Sequence, residues 1–401
     1  MGNLFDFEKN FSSKYEGGKM ELSEEAINEK YEKGEARIVT EQGSVKLSLV
    51  KSVFLGDNYQ LKPKYQRRIT WDNKKRSKLI ESFIMNIPVP PVFIYETEFD
   101  KYQVMDGLQR ITAVIDYYEG AYELEDLTQW PELNGKRYKD LPKKIKEGID
   151  RRQITVITLL KESSKTLNQE EEMKKMVFER LNTGGVTLED QEIRNALYNG
   201  PFNDLCIELS SYDIFRDLWQ IIPDADIDED KEIEPDNYDD ALIFAKNKLY
   251  KRMYDVELVL RYFAMRHIDE YAGSLSSFLD ACLRAGNKYS ENNLEKLKEI
   301  FISTVNKANT LFGNKVFCQY TEIRKSYNWT GPQKMIYDSM MLALSETVIP
   351  DKKYDIEVNI NKLKEFYIHN LSSFDGKKQS RAEIKRRKDL YLELMSSIIQ
   401  G

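Results

Sequence analysis

The sequence predicts an α+β protein, with a strand-and-helix domain over residues 45–200 and a mostly α-helical domain over residues 201–401. Three observations predict it. Short β-like runs alternate with apolar stripes at helical spacing as far as residue 200. Past Gly200-Pro201 those runs fade and long amphipathic stripes replace them. A chain of 401 residues also exceeds what a single core usually organises, so two domains are the natural division.

The elements follow in order. Residues 1–44 are rich in Glu and Lys and poor in large apolar side chains, which predicts a charged, loosely held arm with one helix over 23–33. Residues 77–87 place Leu79, Ile80, Phe83, Ile84 and Ile87 on one helical stripe. Residues 89–99 and 102–105 read as strands. Helical spacing returns over 110–118 with Ile111, Val114, Ile115 and Tyr118. Residues 153–160 are almost wholly apolar or β-branched, the texture of a strand buried on both faces. In the second half, 252–266, 294–311 and 384–399 each carry an amphipathic stripe. Residues 224–240 are dense in Asp and Glu with almost no apolar anchor and predict an acidic loop.

Composition narrows the chemistry. Hydrophobic residues make up 41% and charged residues 32%, the balance of a folded globular chain. A formal net charge of −7 argues against binding nucleic acid by bulk charge, so any anion site must be local. Cys206, Cys282 and Cys318 form no CxxC or Cys/His cluster and read as reduced, buried thiols. With two histidines, His267 and His369, a zinc site or a Ser-His-Asp triad is not expected. No apolar run reaches the roughly 18 residues of a membrane span, and no secretory signal is visible, which predicts a cytoplasmic protein without a membrane partner.

Three segments carry the chemistry. In KYQVMDGLQRITAVIDYY (101–118), a strand meets a helix at Asp106-Gly107. Such a joint presents backbone N–H groups and the positive end of a helix dipole. Gly107 admits a left-handed backbone, and Arg110 offers a planar fork matched to phosphate oxygens. Asp106 has three open roles: orienting that arginine, holding a metal, or binding a sugar hydroxyl. An ordinary capped turn with a solvated arginine accounts for the same residues. In KPKYQRRITWDNKKRSK (62–78), eight cations stand against Asp72, with Tyr65 and Trp71 interleaved. Lys74, Lys75 and Lys78 fit a solvated helix face, whereas Arg67 and Arg68 precede the helix. In VFERLNTGGVTLEDQEIRNALYNG (177–200), a helix gives way to a Gly184-Gly185 turn and a new helix capped by Thr187, with Asp190 at its third position. Asn182, Arg180 and Glu179 stand beside that turn, either facing a ligand or merely joining two helices.

Together PKYQRRITW, VMDGLQR and FERLNTGGVTLEDQEIRNA resemble the N-terminal domain of the GmrSD-type modification-dependent restriction enzymes. That family is related to the ParB/sulfiredoxin fold, and its hallmark is Asp-Gly-Gln-Gln-Arg after a strand, with an upstream Tyr-Gln-Arg element. The resemblance runs in order over residues 45–200. It implies a ParB/sulfiredoxin-like domain that binds an NTP or a DNA phosphate, in a protein of defence against foreign DNA. Residue by residue, Tyr65, Gln66 and Arg67 match the first element, and Asp106, Gly107, Gln109 and Arg110 match the hallmark. Asn182 and Glu192 match the third element. Asp106 and Gln109 are then the catalytic positions. Tyr65, Gln66, Arg67, Gly107, Arg110, Asn182 and Arg180 would hold the nucleotide, with Mg²⁺ as its companion. Leu108 stands where the first Gln of the hallmark is usual, which leaves open whether a bound nucleotide is hydrolysed.

Two other readings stand beside the nucleotide switch. One is a ParB-like, metal-dependent DNA nuclease with Asp106 and Glu192 as ligands. The other is a scaffold whose acidic loop 224–240 and basic stretch 377–388 dock DNA or protein. The HNH nuclease found in many family members is not expected, because His369 lies in a helical context without a partner histidine. The expected partners are the nucleotide, DNA, a separate effector or nuclease subunit, and further copies of the chain in a homo-oligomer.

Overall fold

The computed structural model describes residues 4–9, 11, 28, 39–60, 71–161, 173–177, 180, 189–221, 249–323, 325–374 and 380–400. The chain divides into two compact units, Gly18–Leu188 and Met1–Gly17 with Glu189–Gly401. The expected helix at 23–33 and the acidic segment 224–240 lie outside the described residues, apart from the single position 28.

The first unit is built on a five-stranded mixed sheet. Its strands are β1 (Thr40–Lys46), β2 (Tyr59–Gln60), β3 (Val92–Glu98), β4 (Lys101–Asp106) and β5 (Gln153–Leu159). They lie in the order β1-β5-β3-β4-β2. β1 runs antiparallel to β5, β5 parallel to β3, β3 antiparallel to β4, and β4 parallel to β2. Among the fully described elements, four helices accompany the sheet: α1 (Val50–Phe54), α2 (Asn73–Ile84), α3 (Leu108–Tyr118) and α4 (Lys143–Asp150). The stripes read from sequence form the core, with Leu79, Ile80 and Phe83 of α2 packed with Ile111 and Val114 of α3 beneath Val92, Ile94 and Val104. Ile87 falls beyond α2 and is exposed. Asp72 starts α2 by accepting a bond from the Lys75 amide at 2.7 Å.

The strand at 153–159 meets the expectation of burial on both faces in part. Ile154 and Val156 are buried in the core shared with the helices, and on the opposite face Leu159 is buried while Thr155 and Ile157 are half-buried. Its texture therefore reflects β propensity as well as burial.

The second unit is helical, with α5 (Asp190–Leu197), α6 (Pro201–Leu209), α7 (Asp213–Trp219), α8 (Tyr254–Arg266), α9 (Leu275–Gly286), α10 (Glu291–Phe312), α11 (Lys334–Glu346), α12 (Ile356–His369) and α13 (Arg381–Gln400). The sequence reading had no signal for its hairpin, β6 (Cys318–Ile323) with β7 (Ser326–Pro332). The stripe at 252–266 does not mark a surface helix. Every residue of α8 from Asp255 to Arg266 is buried, charged ones included. Of those charges, Glu257 pairs with Arg194, Arg261 and Lys334, and Arg261 also with Asp338. Arg194 in turn reaches Asp280 at 2.9 Å. The three thiols are free and buried, as read. Among the described residues, no helix is long and apolar enough to cross a membrane.

The N-terminal residues are not one uniform arm. Glu8, 2% exposed, meets the Arg266 guanidinium at 2.6 and 3.0 Å. Phe7 packs edge-on against Tyr289, and Phe11 packs against His267 and Phe278. This short stretch is thus part of the helical unit's core.

Candidate functional site

The Asp106–Arg110 segment sits where β4 ends and α3 begins. Gly107 is the N-cap of α3 with φ 97°, a left-handed conformation that glycine adopts without strain. A Cβ there would stand 2.8 Å from Val92 Cγ2 and 3.1 Å from Arg110 Nη2, so both backbone angle and space demand glycine. The Gly107 carbonyl accepts the first helical bond, from Ile111 N at 2.9 Å. No side chain caps the first turn of α3. The helix therefore begins with its positive end unneutralised by a cap.

The two polar side chains of that first turn reach in different directions. Gln109 Oε1 accepts the Trp71 amide at 3.0 Å, tying α3 to the residue that precedes α2 and its cap Asp72. Arg110 turns back: its Nη2 donates to Asp106 Oδ2 at 2.6 Å and to the Pro91 carbonyl at 3.1 Å. Its side chain is 13% exposed, that of Asp106 37%, and Arg110 Nε is buried without a partner among the described residues. The sequence reading offered this fork directly to a phosphate. In the structure it is held by an internal ion pair, because a carboxylate four residues earlier and a strand-entry carbonyl already supply two acceptors. Of the three roles open to Asp106, orienting the arginine is the one observed.

The other residues singled out fall elsewhere. Tyr65, Gln66, Arg67 and Asn182 lie outside the described residues, as do Glu179 and Thr187. Arg180 is described and exposed. Glu192 belongs to the helical unit, where it is 4% exposed, accepts the Glu189 amide at 2.9 Å and lies 3.4 Å from Arg252. The helix there opens at Asp190 with Glu189 as cap and Glu192 at its third position, two residues later than the expected start after Thr187. Glu192 thus caps a helix. Among the described residues, no group of three or more His, Cys, Asp or Glu side chains is placed to hold a metal.

The basic stretches resolve into ordinary pairs where they are described. Arg76 lies 3.4 Å from Asp116 and stacks over Tyr122, while Lys74 and Lys78 are exposed on α2. On α13, Arg381 and Lys385 pair with Asp269, and Lys388 pairs with Glu346.

One comparison bears on these residues. Residues 50–199 match the family model of the GmrSD restriction endonuclease, N-terminal domain. The likeness read from the three motifs holds for this segment. The GmrSD-type segment contains the whole Asp106–Arg110 turn and runs on past the division between the units, to just beyond α5. No curated protein and no solved structure matches the chain.

The sequence reading missed three contributors to the turn: the Trp71 amide, the Pro91 carbonyl and the Val92 side chain. Two are backbone groups, which carry no residue signature. Pro90-Pro91 ahead of a strand was the one visible hint, since proline marks a strand's first residues.

Proposed function

We propose that this chain is a nucleotide-binding member of a restriction-type system acting against foreign DNA. On this reading its sheet unit is ParB/sulfiredoxin-like, and the first turn of α3 receives the NTP phosphates. The single observation that carries the reading is the uncapped helix start on Gly107, inside the GmrSD-type segment, with a guanidinium fixed beside it. A helix N-terminus without a capping side chain favours an anion through both its N–H groups and its dipole. The Asp106–Arg110 pair has a supporting role. It locks the turn, so that the amides at the start of α3 are already in place when a phosphate arrives.

Gln109 supports the same arrangement, since it holds the amide of Trp71, four residues after Arg67 in the sequence. Mg²⁺ would accompany the nucleotide as a phosphate-bound ion that keeps several waters and needs few protein ligands. The helical unit would pass the nucleotide state to a separate effector or nuclease subunit. The metal-nuclease alternative has less support, because Asp106 pairs with Arg110 and Glu192 caps α5.

The test is a thermal-shift and calorimetry panel of ATP, GTP, CTP and UTP with and without Mg²⁺. An NTP at about 100 times its Kd should add about 2.7 kcal/mol of stability. Arg110→Ala leaves the Asp106 carboxylate uncompensated beside the start of α3 and should weaken that NTP about tenfold, about 1.4 kcal/mol. Unchanged affinity in this variant rules out the cradle.

A further inference from the structure

The sheet unit concentrates positive charge at a second place, the opposite end of α3 from Gly107. There Tyr138 stacks on Tyr118 with ring centroids 4.3 Å apart. The eleven residues of α3 span about 16 Å, which separates this surface from the Gly107 turn. Between residues 139 and 152 the sequence sets six Lys and Arg against three acids. One of those acids, Asp150, is occupied by the Tyr118 and Tyr138 hydroxyls at 2.8 and 3.0 Å. Two of the cations are also engaged: Arg152 donates to the Phe83 carbonyl, and Lys146 lies over the Tyr138 ring.

Lys139, Lys143, Lys144 and Arg151 remain exposed, with no acid at salt-bridge distance among the described residues. Lys46, exposed at the end of β1, sits opposite Gln153 in the sheet register and adds a fifth charge from a third element. The placement of Lys143 and Lys144 is itself informative. They fill the first turn of α4, which contains no acid and no side-chain cap, so the helix dipole opposes both. Folding stability does not call for cations there. Meanwhile Ile149 is buried in the core and Ile145 packs against it, so α4 turns no apolar stripe outward for a bilayer.

We propose that Lys46, Lys139, Lys143, Lys144 and Arg151 form a contact surface for the phosphate backbone of duplex DNA. The choice of DNA rests on the restriction-type reading above; the surface itself does not depend on the nucleotide site. From Lys143 to Arg151 the cations extend about 12 Å along α4, with the exposed Glu147 between them, enough to face several phosphates of a duplex that carries one charge per roughly 1.7 Å. Backbone contacts of this kind hold DNA without reading its sequence.

The experiment titrates a labelled duplex of roughly 20 base pairs with the full chain at several salt concentrations, read by fluorescence anisotropy. Five phosphate contacts predict a log–log salt slope of about −4.5, so doubling the salt weakens binding about 20-fold. Replacing three charges in Lys139→Gln/Lys143→Gln/Lys144→Gln should leave a slope of about −1.8, or about a 3.5-fold loss per doubling. The same variant should melt at or slightly above the wild-type temperature and keep the wild-type response to NTP. Failure of the NTP panel with the slope change intact would remove the nucleotide reading and leave this surface standing. A slope that the triple variant does not alter overturns the proposal. So does equally tight, variant-sensitive binding of poly-L-glutamate or of anionic vesicles, which would assign the surface to an acidic protein or a membrane.

Discussion

Gly107→Ala is the perturbation whose cost the structure fixes most closely. Alanine at φ 97° leaves its allowed backbone region, which costs about 1–2 kcal/mol in a left-handed conformation. Its methyl would also stand 2.8 Å from Val92 Cγ2 and 3.1 Å from the Arg110 guanidinium. Val92 is fully buried and cannot step aside freely, so overpacking adds about 1–3 kcal/mol. The sum, about 2–5 kcal/mol, is a large part of a typical domain's stability. Gly120 supplies the control: its φ is 74°, but an added Cβ meets nothing within 4 Å, so Gly120→Ala should cost only the backbone strain. Urea unfolding of the two variants, followed through the sheet unit, measures the difference. Equal losses in Gly107→Ala and Gly120→Ala would refute the argument that Val92 and Arg110 press against the turn.

Two further perturbations probe the helical unit. Glu8→Gln leaves the Arg266 guanidinium, 3% exposed, without its counter-charge, and should destabilise by about 3–5 kcal/mol; Glu8→Met/Arg266→Met should recover most of that in the same urea experiment. Burial holds His267 down to about 4, with the Glu8 carboxylate opposing and the Arg266 charge assisting that shift. Its unfolded value is near 6.5, so the unfolded chain takes up the proton first as pH falls. The neutral ring therefore gives its full stabilisation above pH 6.5, and this is lost progressively down to about pH 4, amounting to about 3 kcal/mol. Melting temperatures across that window should fall more steeply for the wild type than for His267→Gln, and parallel curves would contradict the assignment.

Much of the fold was legible because its signals are periodic. The stripes around Phe83 and Val114 mark α2 and α3, and the runs at 92–98 and 153–159 are strands. What escaped was set by partners distant in sequence. Nothing near Arg261 announces a buried helix, because the carboxylate it forks onto, Asp338, lies 77 residues on. Likewise Glu8 looks like any surface acid until Arg266, 258 residues away, is placed beside it. At the Gly107 turn, residue types told where the chain must bend and which charges stand there. They did not tell which way Arg110 would point, since its competing acceptor at Pro91 is a backbone carbonyl. The hairpin at Cys318–Pro332 was hidden by the helical texture on both sides of it.

The central claim is that phosphate settles on the amides at the start of α3. Hydrogen exchange of those amides, Leu108 to Arg110, with and without each NTP tests it most directly. A bound nucleotide should slow exchange there and in the residues around Trp71 that Gln109 holds. An NTP that stabilises the chain while leaving these amides unchanged, and protects another segment instead, would contradict the account.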